Sequence, residues 1–458
     1  SRISHVMLGT THATNAELER KALHKVAILR IGAPATLSVR PLLTWPEDLI
    51  AAVSAGEAEV RGGIELDGRE IVPFDAAAVR DVLVPLRGQV DAVAITSVFA
   101  PVSSRHELAA GDIVREVMGP DVHLSLSHEL GALGILEREN STVLNGALLG
   151  VARDVAGTLG AALEHRGIDA ALYFAQNDGT LMALEHAVRF PVLTIGSGPA
   201  NSLRGAAYLT GRDDAIVVDV GGTSTDIGVL VSGFPRESSQ AVEIGGVRTN
   251  FRMPDIISIA VGGGTVAREG AIGPDSVAWR IGTESLAFGG CTPTLTDAAL
   301  LGRRASDSGS VTPDTAHADM LRNGLALADV AVADAIDRVK TSRSDAPIIA
   351  VGGGSIILAD PIAGASEILR PANHDVANAI GAAIAKVSGS AEEVVTYTTR
   401  SHAEAVQEIA ARAGAAAVSA GADPERVEVV DVEETPLTYM MEPAARIRVK
   451  AAGPLAMG

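Results

Sequence analysis

At 458 residues the chain is too long for one compact core, so two or three domains are expected. A net charge of −19 argues against nucleic acid as a partner, and the single cysteine, Cys291, excludes a disulfide framework or a cysteine zinc site and suits a reducing cytoplasm. Aromatic residues are 3% against 47% hydrophobic, so Ala, Val, Leu and Ile must build the core; no apolar run approaches the ~18 residues of a membrane helix, and no secretory signal precedes the first strand.

Ile3 to Leu8 reads as a strand that runs into the polar loop Gly9-Thr-Thr-His-Ala-Thr-Asn15 and a helix from about Ala16 to Leu23. Strand, polar turn and helix form the unit that places ligands beyond the carboxyl ends of strands, so Thr10, Thr11 and Asn15 are candidate ligand contacts. Their ordinary role is turn-making and N-capping. Lys25 to Arg30 is a second strand. A helix over Ala76 to Leu86, a strand over Asp91 to Phe99, a helix opened by Ser103-Ser-Arg-His-Glu107 and a strand over Val122 to Leu126 make a βαβ unit.

Ser127-His-Glu-Leu130 leads into a long helix ending near Arg166. Strands follow over Ala170 to Phe174 and Val192 to Ile195, separated by Asn177-Asp-Gly179 and a helix. Gly196-Ser-Gly-Pro-Ala-Asn201 then feeds a helix over Ser202 to Leu209, an arrangement suited to an anion or to tight packing.

The stretch from Ile216 to Leu230 carries the most chemistry. Two β-branched runs flank Asp219-Val-Gly-Gly-Thr-Ser-Thr-Asp226, the pattern of a hairpin around a polar turn. Gly221 and Gly222 let the backbone turn sharply. Thr223, Ser224 and Thr225 offer hydroxyls to phosphate oxygens, and Asp219 and Asp226 offer carboxylates to hydrated Mg²⁺. Downstream, Ile256 to Thr265 is a strand ending in three glycines, and Cys291 and Leu295-Thr-Asp297 fall in a Gly-, Thr- and Pro-rich loop. A helix spans about Ala316 to Val339. Pro347 to Val351 is a strand ending in Gly352-Gly353-Gly354-Ser355, and Ala377 to Ala385 is a small-faced helix. Residues from Glu393 onward read as a small α+β sheet of their own. The histidines are scattered without HxH or HxxxH spacing, which argues against a metal-only hydrolase.

The turn Asp219 to Asp226 resembles the second phosphate loop of the actin/sugar-kinase/Hsp70-like ATPases. More narrowly, the chain resembles the hydantoinase A/oxoprolinase family. The ordered set is Gly9 to Asn15 with Leu18-Glu-Arg20, Glu137-Arg138 with Ser141-Thr142 and Asn145, Asn177 to Gly179, Ser197-Gly-Pro-Ala200, Asp219 to Asp226, the glycines at 262–264, and Thr294 to Asp297. The resemblance implies an α/β fold of two actin-like (ribonuclease H-like) domains around a cleft: 1–195, 196–390, and a C-terminal α+β module over 391–458. It implies that Gly352 to Ser355 is the adenosine-site turn, and that 196–200 and 378–385 are connecting segments at the hinge. It implies ATP and Mg²⁺ as cofactors, Asp219 as the metal ligand, and Asp219 or Asp226 orienting the nucleophile. The activity implied is ATP-dependent opening of cyclic amides such as hydantoins, 5-oxoproline or lactams. The partner is a second hydantoinase/oxoprolinase subunit or another copy of the chain, in the cytoplasm and away from nucleic acid and membrane. A carboxylase subunit of the acetone-carboxylase kind and a non-catalytic actin-like scaffold are the alternatives. The family opens with a first phosphate loop; the sequence here begins at Ser1, past that loop, as a fragment or a processed chain does.

Overall fold

The structure, a computed structural model, describes residues 3–9, 13, 16, 20–131, 133–238, 242–249, 253–304, 317–398, 400–438 and 442–456. Strand β1 (His5–Leu8) is followed by β2 (Val26–Ala33), β3 (Ser54–Arg61), β4 (Ala92–Ser97), helix α1 (Arg105–Met118) and β5 (His123–Leu126). The last four strands form an all-parallel sheet in the order β3-β2-β4-β5. Parallel strands covered on both faces read as continuous apolar runs, and every residue of β2 is buried. Ala27, Leu29 and Ile31 face α1, while Val26 and Ile28 face the next helix, α2 (Ile135–His165).

By length and composition α2 is long and apolar enough to cross a membrane, which corrects the expectation that no segment approaches that length. Its first half is nonetheless a core helix, buried from Arg138 to Leu149. Arg30 of β2 reaches it there and donates to both oxygens of Glu139 at 2.7 and 2.6 Å, with both side chains 1% exposed. Removing Glu139 leaves the buried Arg30 guanidinium, among the described residues, with only Glu59, 3.8 Å away, as a counter-charge. Glu139→Ala is therefore expected to cost about 3–5 kcal/mol, read by urea unfolding. The double replacement Arg30→Met with Glu139→Leu is expected to cost far less; equal costs would contradict the pairing.

Strands β6 (Ala171–Ala175) and β7 (Leu181–Ala183), helix α3 (Ser197–Thr210), and strands β8 (Ala215–Val220), β9 (Thr225–Val231), β10 (Phe234–Pro235) and β11 (Ile256–Ile259) come next. The expected strand at Val192 to Ile195 is instead a short 3₁₀ helix, Pro191–Thr194. A four-residue apolar run fits either state, and proline at its start favours the helical one. Helix α3 begins at Ser197, five residues before the expected start. Thr294-Leu-Thr-Asp297 is the capping box of α4 (Leu295–Leu301) rather than part of a loop: Thr294 Oγ1 and Asp297 satisfy each other's backbone N–H groups. Then follow α5 (Ala318–Val339), β12 (Ala346–Val351), β13 (Ala365–Leu369), α6 (Ala377–Ile384), β14 (Val387–Thr396), α7 (His402–Ser419), β15 (Glu428–Pro436) and β16 (Ala444–Gly453).

The second large sheet runs β10-β9-β8-β12-β13, with β11 also on β9. Its even-numbered β8 residues Ile216, Val218 and Val220 pack on α5. Ala215 and Val217 pack on α3 and α6. Those two helices cross at van der Waals contact of their backbones: a Cβ on Gly205 would stand 1.9 Å from Ala377 O, and one on Gly381 would stand 1.8 Å from Asn201 O. This is what the small-residue face of 377–385 is for.

The tail is not a sheet of its own. Its strands extend the first six-stranded sheet, in the order β1-β6-β7-β14-β16-β15, through a parallel step between Val387 and Leu181. Lys450 of β16 is buried against Asp178 at 2.7 Å and Glu237 at 3.2 Å, so it ties the tail to the 176–179 loop and to the segment after β10. Burial alone pushes the Asp178 carboxyl up; the Lys450 ammonium, with Thr180, more than reverses this and holds it at about 2.

Candidate active site

The β8–β9 hairpin forms as the sequence suggests, with Gly221 to Ser224 as its turn and Gly221 N–H donating to Ser224 O at 2.9 Å. Two further glycine turns close on it. Gly263 and Gly264 donate to the carbonyls of Gly221 and Gly222 at 2.9 and 2.7 Å. Gly354 donates to Val220 O at 2.8 Å. The contacts leave no room for side chains. A Cβ on Gly262 would stand 2.7 Å from Thr223 N, and one on Gly352 would stand 2.4 Å from Asp219 Oδ1. The turn at 262–264 was visible in the sequence as three glycines; that it would buttress the hairpin was not. Thr296 Oγ1 secures it through Gly263 O at 2.9 Å.

Asp219 and Asp226 are directly opposed cross-strand partners. Opposed residues project to the same face of a sheet, here the α3 face of β8. Burial pushes the Asp219 carboxyl up, and the neighbouring Ser202 hydroxyl only partly offsets this. Burial likewise raises Asp226, the Ser258 hydroxyl opposes the rise, and the charge of Asp219 adds to it. Ser258 Oγ donates to Asp226 Oδ1. Ser202 and Ser258 were not singled out from sequence. Ser258 owes its place to the β9–β11 register, which sets it opposite Asp226.

Of the hydroxyls, Thr223 is exposed and Ser224 half-buried, so both are open at the turn. Thr225 is not available to a phosphate as expected: it is fully buried and its hydroxyl donates to Val261 O at 2.5 Å. Ser355 is likewise buried, its hydroxyl 3.3 Å from His374 Nδ1. Gly353 is open to solvent, with Gly352 and Gly354 held against the hairpin. Thr10, Thr11 and Asn15 lie outside the described residues; Gly9, just before them, abuts α3.

Among the described residues no cluster of three or more His, Cys, Asp or Glu is placed to hold a metal ion. The opposed carboxylates still fit Mg²⁺, which takes one or two protein carboxylates and completes its octahedron with water and phosphate oxygens. Two raised carboxyls on one face are a like-charge pair that a divalent cation relieves. The raised groups favour the folded state below their unfolded range, and that contribution is lost as pH rises through their folded values. Mg²⁺ bound between the two would offset the loss by stabilising both ionised groups. The Mg²⁺-induced rise in melting temperature is therefore expected to be largest at neutral pH and to fade as pH falls through the raised carboxyl values. A pH-independent shift, in melts across a pH series, would contradict the pairing.

A Hydantoinase/oxoprolinase model matches residues 138–319, and a Hydantoinase/oxoprolinase N-terminal region model matches residues 1–118. Caprolactamase subunit alpha of Pseudomonas jessenii is 29% identical over 311 residues, 64% of this chain and 44% of that protein. Acetophenone carboxylase gamma subunit of Aromatoleum aromaticum is 26% identical over 374 residues, 73% of this chain and 49% of that protein. The chain thus spans about half the length of the curated relatives it matches. The crystal structure of ATP-dependent caprolactamase from P. jessenii superposes with a TM-score of 0.76 at 21% identity, over 99% of this chain and 79% of that one. The nucleotide-free structure of acetone carboxylase superposes with a TM-score of 0.67 at 15% identity, over 97% and 78%. These two establish the α/β fold. With both models in order along it, the chain belongs to the hydantoinase/oxoprolinase family.

Proposed function

We propose that this chain is the ATP-using subunit of an enzyme that opens cyclic amides. The observation that carries the reading is the convergence of three glycine turns, at 221–222, 262–264 and 352–354, on one opposed carboxylate pair. The family and the caprolactamase relative support it.

ATP with Mg²⁺, when bound, supplies a γ-phosphoryl group for the ring carbonyl oxygen and so makes the carbonyl carbon open to water. The residues of this chain act by position and charge. The backbone N–H groups of 222–224, with the Thr223 and Ser224 hydroxyls, would receive phosphate oxygens. Asp219 would hold Mg²⁺. Asp226, braced by Ser258, aligns the acceptor oxygen. Gly353, open on a turn that Gly352 and Gly354 hold against the hairpin, would let a purine lie on bare backbone. A second subunit of the same enzyme carries the ring hydrolysis, and the assembly works in the cytoplasm; both relatives are named as one subunit of a larger enzyme, which supports a partner subunit.

The acetophenone carboxylase relative favours a second reading, in which the same machinery serves an ATP-dependent carboxylation. ATP hydrolysis by the native assembly separates the two. Stimulation by hydantoin, 5-oxoproline or caprolactam supports the hydrolase. Stimulation by bicarbonate with a ketone supports the carboxylase. ATP turnover with neither response, or no turnover, leaves the scaffold reading and overturns both.

A further inference from the structure

Ser355 ends the glycine turn at 352–354, and the sequence offers it to the nucleotide. In the fold it is 2% exposed, and its hydroxyl lies 3.3 Å from His374 Nδ1 instead. The main chain of His374 holds the other end of the same turn: Gly352 N–H donates to His374 O at 2.8 Å. His374 thus bridges Gly352 and Ser355, and the open residue Gly353 lies between the two anchor points. The chain bends to allow this at Asn373, whose φ of +61° is a left-handed conformation that asparagine tolerates better than most residues. Asn373 starts the single 3₁₀ turn His374–Val376, on the link from β13 to α6.

The carbonyl bond to Gly352 could come from any residue. What histidine adds is a ring. The imidazole is half-buried, with its Nδ1 edge on Ser355. Among the described residues Nε2 has no partner and is not covered, so the opposite edge meets solvent. No other ring or guanidinium stacks on it among the described residues. An aromatic face pinned beside an open glycine suits a nucleobase, because every base has a π-face to stack. A ring already fixed by a hydrogen bond also loses less freedom when the base arrives.

We propose that His374 is the base-stacking residue of the nucleotide site and that Ser355 is its positioning residue. A purine seated on Gly353 meets the imidazole face, and Ser355 holds that face in place from behind the turn. This rests on the nucleotide reading above and names the residues that hold the base, as distinct from those that hold the phosphates.

The test is calorimetric titration of adenylyl imidodiphosphate and of inorganic tripolyphosphate, each with Mg²⁺, into the native assembly carrying the wild-type chain, His374→Ala, His374→Phe or Ser355→Ala, with melting curves of each. Tripolyphosphate keeps the phosphate contacts and has no base. Wild type is expected to bind the nucleotide more tightly than tripolyphosphate. His374→Ala is expected to bind the nucleotide at least about tenfold more weakly and to bind tripolyphosphate as wild type does. His374→Phe keeps an aromatic face and is expected to stay within about threefold of wild type. Ser355→Ala is expected to weaken the nucleotide about threefold or more, and to have no effect when made in His374→Phe, where there is no Nδ1 to hold; a packing role for Ser355 would cost the same in both backgrounds. Wild-type nucleotide affinity in His374→Ala, equal losses for both ligands, or a loss in His374→Phe as large as in His374→Ala would show that the residue braces the turn, and would overturn the inference while leaving the nucleotide reading intact. So would a wild-type assembly that binds tripolyphosphate as tightly as the nucleotide. Binding of neither ligand overturns the nucleotide reading, and the inference with it.

Discussion

Asp219→Asn is expected to abolish ATP turnover, by at least about 10²–10³-fold, and to leave the protein folded, melting at or above the wild-type temperature. Loss of function and gain of stability follow from one cause. Asp219 is held above its usual carboxylate range mainly by burial, and its charge in turn raises Asp226 across the strand pair. Asparagine keeps the shape, removes the like-charge repulsion and removes the carboxylate proposed to hold Mg²⁺. The wild-type protein is expected to gain thermal stability from Mg²⁺, and the variant to gain much less. Turnover within a few-fold of wild type, or a melting temperature far below it, would assign Asp219 a structural role instead.

Gly352→Ala is expected to be the most damaging single-methyl change at the site. Gly352 has a φ of +83°, which a side chain resists. Its Cβ would stand 2.3 Å from Val220 O and 2.4 Å from Asp219 Oδ1, both held in place by the β8–β12 ladder. Strain and overpacking together are expected to cost about 3 kcal/mol or more. Because the turn would shift Asp219 as it moved, nucleotide affinity is expected to fall in the same variant. Gly353→Ala is the control: a Cβ there has nothing within 4 Å, so stability should change by no more than about 1 kcal/mol. Denaturant unfolding of the two proteins decides it. Equal costs would mean that the three-turn junction is looser than drawn.

The hairpin was legible because β-branched runs on either side of two glycines admit few other conformations. The parallel strands β2, β4 and β5 were legible for a similar reason, as near-continuous apolar runs between helices. What failed was the short or non-local. Val192 to Ile195 is too short for periodicity to separate strand from 3₁₀ helix. Thr294 to Asp297 carries a capping box, but the seven-residue helix behind it is hidden among glycines, threonines and prolines. The tail seemed self-contained because its strands and helix alternate locally; its union with β7 depends on pairing between residues some two hundred positions apart, which no local pattern encodes.

At the site, the residue types were readable and their duties were not. Five neighbouring small and hydroxyl residues, Gly221 to Thr225, suggested a phosphate turn, yet the strand begins at Thr225, whose hydroxyl is buried on Val261 O, while Thr223 stays out on the turn. Ser202 and Ser258 gave no signal, since a single serine in a helix or strand says nothing about a carboxylate brought to it by tertiary structure. Asn201 closed a small-residue loop in the sequence, and only the packing of α3 against Gly9 and α6 shows its amide covered and unpaired.

The most direct measurement follows the ring oxygen. A cyclic amide labelled with ¹⁸O at the ring carbonyl is turned over by the native assembly with ATP and Mg²⁺, and the released phosphate is analysed by mass. If the γ-phosphoryl group is transferred to that oxygen, water attacks the carbon, the ring nitrogen leaves to give an acyl phosphate, and a second water at its carbonyl carbon releases inorganic phosphate carrying the label. Label confined to the carboxylate of the ring-opened product, with no acyl hydroxamate formed when hydroxylamine is present, would contradict phosphoryl activation of the ring.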